Sequence, residues 1–512
     1  MKNNSIKFII PLAALAVSAC ASSNRKQNSK TGFVKVDDVT MVCSDLQSNY
    51  APSKGEVKML VIPIAFTNSA KDGGSSYYTD WTTTSVNRLN NFYFGKEDSL
   101  ASYYATASLG NLSVKGMIAP VYQNSTIKTS TILNDSSFEK LFDLIENAIG
   151  WVQDTLTDVN WAEYDLNQDG CIDNVHLITN YTSDEWNTPL WPHMWNTGRK
   201  GTVERPLADV YSISGIGFVD DAITAIHEQG HIFGLDDYYD YTGASSGTGV
   251  DYIGALDMQS YNCALDMQSY NCFDWNSFSK LSMGWVKPYV INGEADVTTI
   301  NIKAASINGD CILIPADYST WNGSAFDEYF LLELFAPYGN NKKDWSDYSS
   351  RLGKKSGIRL YHVDARVYGS DSRTYNPQRE EYDYLIEDLE EQEINSKEDI
   401  AKWQYNVRGA NNSSNWKDYP SGIDQLGDHP LLSLVQQGGD FTFAKPSGRH
   451  VLNSTDLFKA GDEFTFEKYS KFLNKQGVKQ ELMDNGEEFP YSFTIDYLDD
   501  ADATITFTKV KR

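Results

Sequence analysis

The sequence predicts an α+β protein in which a mixed sheet with a metal-binding helix is followed by a β-rich C-terminal region. A near-continuous apolar run covers residues 57–66, as expected for a central strand that is buried on both faces. Helical periodicity recurs between residues 86 and 154 and again in residues 221–233, whereas short strand-like segments dominate from residue 292 onward. A chain of 512 residues exceeds what one hydrophobic core usually serves, so two domains are expected.

The charge balance limits the kinds of partner. The chain has 69 acidic and 43 basic residues and a formal net charge of −26. A protein that binds nucleic acid needs Lys and Arg to replace the counterions of the phosphates. We therefore expect no nucleic-acid partner and no flat binding to an anionic membrane surface.

The first residues predict export. Lys2 and Lys7 precede the apolar run 8–17, and two small residues come directly before Cys20. Residues 1–19 resemble a bacterial lipoprotein signal, which implies cleavage before Cys20 and lipidation of its sulfur. The alternative is an ordinary secretory signal with an incidental cysteine. We expect an extracytoplasmic protein, at the cell surface or in the envelope, that meets the membrane only through this lipid.

Residues 20–53 are polar and show little periodicity, which predicts a flexible tether. Residues 54–291 then form the first predicted domain. Its expected elements are strands at 57–66, 112–121 and 175–178 and helices at 86–95, 100–108 and 138–154. Residues 292–512 form the predicted β-rich region, with strands at 311–314, 329–334, 358–363, 493–497 and 503–508.

The loop 165–173, DLNQDGCID, is a candidate calcium site. Oxygen atoms at alternate positions can surround a hard cation, and the expected donors are Asp165, Asn167, Asp169, the Cys171 carbonyl and Asp173. The loop is not a complete EF-hand, because its twelfth position is His176 and not Glu. The alternative is a polar turn in which Asp and Asn side chains bind the backbone and no metal is needed.

Residues 221–240, DAITAIHEQGHIFGLDDYYD, hold the expected catalytic site. The apolar spacing predicts a helix with one buried face, which Asp220 or Asp221 can cap at its N-terminus. His227 and His231 are four residues apart, so both imidazoles project from the same side and can bind one zinc ion. Glu228 lies beside them as the expected general base for a metal-activated water.

The third zinc ligand is expected shortly after the helix. Gly234 can take a positive φ and turn the chain back toward the metal, which brings Asp237 into position. The resulting pattern HExxHxxGxxD has the spacing of metzincin-like enzymes. Asp236, Asp240 and Asp251 are the other carboxylates in reach.

The whole string HEQGHIFGLDDYYDY resembles the HExGHxxGLxDYY segment of the immune inhibitor A-type family of bacterial zinc metallopeptidases. The segments KMLVIPIAF, WPHMW, EYFLLELF and GIRLYHVDAR resemble that family too, so the resemblance extends over most of the chain from about residue 54. It implies a zincin-like catalytic domain, a β-rich C-terminal region, and protein or peptide substrates. It also implies the zinc-binding and catalytic roles given above to His227, Glu228 and His231.

A tandem repeat departs from that family. Residues 255–263 read ALDMQSYNC and residues 264–272 repeat the string, so Met258 and Met267 compete for the methionine turn that metzincin-like enzymes have beneath the metal. The extra copy is expected to loop out, where an insertion costs little. Tyr261 or Tyr270 can reach the cleft or pack in the core.

The sequence thus predicts a secreted, lipid-anchored zinc endopeptidase that hydrolyses peptide bonds in proteins. The alternative is a surface lipoprotein that binds glycans or proteins on the same scaffold without turnover. Its basis is the aromatic content, with 31 Tyr and 12 Trp, together with the duplicated turn. The sequence does not determine the oligomeric state.

Overall fold

The computed structural model describes most of the chain from residue 32 to residue 510. The described residues are 32–72, 77–183, 185, 188–219, 222–239, 250–254, 258, 273–347, 349–353, 356–376, 381–384, 393–411, 429–445 and 451–510. The predicted signal 1–19 and Cys20 lie outside these ranges. Helices and strands alternate through several mixed sheets, which is compatible with the predicted α+β class.

Twenty strands are described. They are β1 Phe33–Lys35, β2 Gly55–Phe66, β3 Leu112–Ile118, β4 Tyr122–Asn124, β5 Val175–Thr179, β6 His193–Asn196, β7 Val210–Gly215, β8 Tyr289–Ile291, β9 Val297–Lys303, β10 Cys311–Ile314, β11 Glu328–Phe335, β12 Gly357–Asp364, β13 Val367–Ser370, β14 Arg373–Asn376, β15 Glu381–Tyr384, β16 Tyr405–Arg408, β17 Leu432–Leu434, β18 Glu463–Thr465, β19 Tyr491–Leu498 and β20 Asp502–Lys509.

Twelve α-helices are described. They are α1 Cys43–Leu46, α2 Thr83–Phe94, α3 Leu100–Ala107, α4 Thr129–Leu133, α5 Glu139–Thr155, α6 Ile223–Ile232, α7 Ser277–Ser282, α8 Ala305–Asn308, α9 Asn341–Asp347, α10 Ser349–Leu352, α11 Lys397–Ile400 and α12 Phe466–Tyr469. No helix in the described ranges combines the length and the apolar character that crossing a membrane requires.

The first sheet has the order β3-β2-β5-β7-β6, and β4 extends it beside β2. Its strands run parallel except β6, which is antiparallel to β7. Alternate residues of β2 enter two separate cores: Leu60 and Ile62 pack against α5, whereas Met59 and Val61 face the side of α2, α3 and α6. The prediction that this strand is buried on both faces is confirmed.

The second sheet has the order β1-β8-β10-β11-β12-β17 and is antiparallel except for the parallel pair β8 and β10. A third, antiparallel sheet has the order β18-β19-β20-β9. The strands predicted beyond residue 292 therefore form, with bounds within two residues of those expected. The larger hydrophobic core is continuous from Val39 to Phe507, so apolar packing does not separate the two predicted regions near residue 291.

The end of the predicted tether differs from the expectation. Residues Phe33–Lys35 form β1, which pairs with β8 of the second sheet, and residues Cys43–Leu46 form α1. Met41, Cys43 and Ala51 are fully buried. Residues 33–53 are thus part of the folded protein, because a few apolar side chains spaced along a polar segment find long-range partners that local periodicity does not reveal.

Candidate metal centre

Contacts with the surrounding strands and helices hold α6 in place. It packs against β6, β7 and α3, and the Tyr104 hydroxyl donates to the Ile226 carbonyl at 2.6 Å. On its sheet-facing side, Gln229 Oε1 lies 2.9 Å from His176 Nε2 on β5. Burial lowers the pKa of His176 to about 4, so this histidine stays neutral and serves packing. The predicted caps Asp220 and Asp221 lie outside the described residues.

The end of α6 follows the predicted turn at Gly234. This residue has φ 96°, and the backbone N–H of Leu235 donates to the Gly230 carbonyl at 3.0 Å, which is a glycine-terminated helix end. A Cβ atom at Gly234 would lie 2.6 Å from the Tyr50 ring. Glycine is required here both for the positive φ and for the close approach, and the chain reverses toward the histidines as a result.

Three ligand atoms meet beyond that turn. The Nε2 atoms of His227 and His231 are 3.1 Å apart, and Asp237 Oδ1 lies 3.1 Å from the first and 3.4 Å from the second. All three side chains are buried or nearly so. Two imidazole nitrogens and one carboxylate oxygen at these separations fit a single divalent ion of the zinc class, which binds such atoms at ~2.0–2.2 Å.

Backbone carbonyls orient both rings. His227 Nδ1 donates to the carbonyl of Met258 at 2.9 Å, and His231 Nδ1 donates to the carbonyl of Leu235 at 2.7 Å. Each ring therefore presents Nε2 to the common point, with its tautomer determined by the second nitrogen. Such orientation is typical of histidines that bind a metal.

The three groups strongly influence one another's protonation. Burial by itself lowers the pKa of His231, but the adjacent Asp237 carboxylate raises it to about 10. Burial favours a protonated Asp237, yet the two histidines hold the pKa of that carboxyl well below its usual range. A divalent cation between these atoms would take the place of the imidazole protons, because metal ligands must be deprotonated.

Glu228 lies on the same helix and beside the three ligands without being one of them. Its side chain is almost fully buried, and burial raises the pKa of its carboxyl. The backbone N–H of Met194 on β6 donates to this carboxylate. A carboxylate with a raised pKa next to a metal centre is suited to accept and then return a proton.

The structure distinguishes Asp237 from the other carboxylates that the sequence places in reach of the metal. Asp236 is not among the converging ligand atoms and pairs with Arg408 on β16, with Oδ2 and Nη2 2.7 Å apart. The same guanidinium donates to the Gly234 carbonyl at 2.7 Å. Asp251 is buried in a turn where it accepts from the Ile253 N–H, and Asp240 lies outside the described residues. Asp237 is thus the carboxylate brought to the two histidines.

Sequence reasoning missed two supports of this site. Arg408 is 174 positions beyond Gly234 and holds the returning turn through both Gly234 and Asp236. Its only sequence signal is an isolated Arg in a short strand, which is too common to be informative. The carbonyl of Met258 is a backbone group, so no side-chain motif could have predicted its contact with His227.

Of the two repeated methionines, Met258 lies beneath the site. Its side chain is fully buried, and its carbonyl meets His227 Nδ1. Met267, Tyr261 and Tyr270 lie outside the described residues, as does most of the ALDMQSYNC repeat. Met258 of the first copy therefore lies in contact with His227, and its assignment to a methionine turn stays a prediction.

We expect Met258→Leu to preserve zinc binding, because the contact to His227 comes from the backbone. A volume-conserving swap in the core should cost less than about 1.5 kcal/mol in the free energy of unfolding. Zinc titration and chemical denaturation measure the two quantities, with Met283→Leu, another fully buried methionine, as the matched control. A folded Met258→Leu protein that had lost zinc affinity would show that the thioether itself supports the site.

The loop 165–173 shows the turn network that was the alternative to calcium. Asp165 accepts hydrogen bonds from the N–H groups of Asp169 and Gly170, and Asp173 accepts from Leu166. Asn167 and Asp169 likewise accept from backbone N–H groups inside the loop, at Asp169 and Cys171. Among the described His, Cys, Asp and Glu residues, these carboxylates form none of the groups whose ligand atoms gather within 4.8 Å. Calcium binding by this loop stays a prediction.

Comparison with known proteins adds no family assignment. No protein-family model matches the chain, and a search of curated proteins finds no match. The function of this chain is therefore inferred from the geometry of the site and from the sequence patterns.

Proposed function

We propose that this chain is a zinc-dependent endopeptidase of the immune inhibitor A type, exported and anchored to the envelope by a lipid on Cys20. The observation that carries the proposal is the meeting of His227, His231 and Asp237 at 3.1–3.4 Å, with Glu228 one residue from the first ligand. Three protein ligands leave room for a substrate or a water molecule, as in catalytic rather than structural zinc sites.

The sheet next to the site supports a protein substrate. In the described part of the chain, β6 forms the edge of the first sheet and runs antiparallel to β7. An extended peptide can pair with the unoccupied backbone groups of such an edge strand. The Met194 N–H of β6 is taken by Glu228, so a peptide paired with the neighbouring backbone groups of β6 would pass beside this carboxylate and the metal ligands.

Each residue has a defined task in the proposed hydrolysis. His227, His231 and Asp237 would hold zinc, which supplies Lewis acidity toward water and the peptide carbonyl. Glu228 accepts a proton from the attacking water and passes it to the amine that leaves. Its raised pKa, caused by burial, brings the carboxyl closer to the range in which it can serve both as base and as acid.

The direct test is hydrolysis by the purified full-length chain. We expect zinc-loaded protein to cleave casein at internal peptide bonds, activity to disappear after chelation, and activity to return when zinc is added back. Mass spectrometry of the products shows whether cleavage is internal. Zinc bound stoichiometrically with no cleavage of casein or of a mixed peptide library would contradict the proposal.

The same assay separates catalysis from the alternative of a binding lipoprotein. The exposed Trp195 on β6, with 57% of its surface accessible, is the kind of aromatic that a glycan or protein ligand could stack on. In that alternative, bound zinc would leave substrates intact. Glycan-array or pull-down binding that depends on Trp195, together with intact substrates, would favour it.

A further inference from the structure

A second group of acidic and histidine side chains lies in the second sheet, away from α6. His362 and Asp364 are two residues apart on β12 and so share one face, and Glu328 of β11 is the cross-strand partner of Asp364. Asp484 and His429 reach the same place from turns outside the sheet. Their ligand atoms form two triplets, each gathered within 4.8 Å: Glu328, His362 and Asp484 in the first, and Asp364, His429 and Asp484 in the second.

The distances within the group are those of converging ligands. His362 Nε2 lies 2.9 Å from Glu328 Oε1 and 4.0 Å from Asp484 Oδ2. His429 Nδ1 lies 2.6 Å from the same Asp484 oxygen. The side chains of His362, Glu328 and Asp484 are at most 2% exposed, whereas His429 is 15% exposed and lies at the edge of the cluster.

Asp484 Oδ2 and His429 Nδ1 form a buried ion pair at one side of the cluster. Both atoms are inaccessible to solvent and lie 2.6 Å apart, although neither is well aligned for a hydrogen bond within the described residues. A divalent cation held by these side chains would take the place of the imidazole proton, because metal ligands must be deprotonated.

The charges within the cluster do not balance. Arg366 donates two hydrogen bonds of 2.8 Å to Asp364, so its positive charge is paired with that carboxylate. Glu328 and Asp484 are then left with two negative charges, and the nearby Glu393 and Asp327 are acidic as well. Buried charge of one sign is strongly unfavourable unless it is paired or bound to a metal. One divalent cation, or a proton on each histidine, would balance Glu328 and Asp484.

We propose that Glu328, His362, Asp484 and His429 bind a second divalent transition-metal ion, of the zinc class. Two imidazoles and two carboxylates suit such an ion, and four protein ligands make a closed site with a structural role. Asp364 is left out because Arg366 occupies both of its oxygens. Glu328 accepts from His362 and from the N–H groups of Asp484 and Asn485, and the ion would replace its contact to His362. The ion would tie the turn of Asp484 and the segment of His429 to β11 and β12.

The test must exclude the site on α6, so it uses the full-length chain with both His227→Ala and His231→Ala. We expect this protein to retain one equivalent of zinc per chain after dialysis against zinc-free buffer, measured by elemental analysis. Adding Asp484→Asn should remove that equivalent, whereas Asp440→Asn, at an exposed carboxylate of the same region, should not. A background protein with no bound zinc would overturn the proposal whether or not the wild type is a peptidase.

A milder variant covers the case in which Asp484→Asn fails to fold. His429→Gln, at the edge of the cluster, should keep the fold by circular dichroism and weaken zinc binding at least about tenfold. Cobalt substituted for zinc should show visible absorption typical of imidazole and carboxylate ligands, and His429→Gln should shift it. Unchanged zinc affinity and an unchanged cobalt spectrum would contradict His429 as a ligand of the ion.

Discussion

Glu228→Gln is expected to lower the rate of peptide hydrolysis by about 10²–10⁴-fold while zinc content stays at the wild-type level. The amide has nearly the same shape as the carboxylate and can keep an oxygen acceptor for the Met194 N–H, but it cannot take a proton from water. The ligands His227, His231 and Asp237 are unchanged. The loss should therefore fall on kcat and not on metal binding.

Two measurements decide this prediction. Steady-state hydrolysis of a fluorogenic peptide gives kcat and KM, and elemental analysis gives the zinc content of the same sample. Glu97→Gln, which changes an exposed glutamate far from α6 in sequence, is the matched control and should retain full activity. A Glu228→Gln protein with wild-type kcat would refute the assignment of this residue as the general base.

The second large effect distinguishes two adjacent carboxylates. Asp237→Asn should weaken zinc binding by more than about 100-fold, and activity should fall with it. Loss of a residue that only hydrogen-bonds to a metal ligand weakens metal binding by at most about 100-fold, so a larger loss identifies a ligand. Asp236→Asn should leave the three zinc ligands in place. Its cost should appear in the free energy of unfolding, at about 3–5 kcal/mol, because the buried Arg408 loses its charged partner.

Zinc titration with a competing chelator and urea denaturation of the metal-free proteins measure the two effects separately. The neighbouring variants serve as controls for each other, since they make the same chemical change one residue apart. If Asp236→Asn released zinc as strongly as Asp237→Asn while remaining folded, the third ligand would have been wrongly identified.

The helix and its ligands could be predicted because their pattern is local. The spacing of Ile223 and Ile226 predicts the buried side of α6, and the four-residue interval between His227 and His231 places both rings on one side. Gly234 predicts the reversal because a positive φ favours glycine. The HExxHxxGxxD spacing favoured Asp237 over its neighbour Asp236, and the fold brings Asp237 to the histidines and Asp236 to Arg408.

Other predictions were less complete for a physical reason. Residues 33–53 looked like a tether because three residues of strand carry almost no periodic signal, yet β1 pairs with β8 more than 250 positions later. The loop 165–173 has the composition of a calcium site, but its oxygens accept hydrogen bonds from the loop's own backbone. Composition alone does not distinguish an Asx turn from a cation site.

By itself, the sequence determined the central strand, α6, the two histidines and the position of Glu228, since each follows from residue spacing within one element. Only the tertiary structure decided that Met258 orients His227, that Arg408 restrains Asp236, and that Glu328, His362 and Asp484 meet in the second sheet. These contacts join residues that are 31 to 174 positions apart. Local periodicity does not reveal such pairings, because they arise when strands and loops pack around a common core.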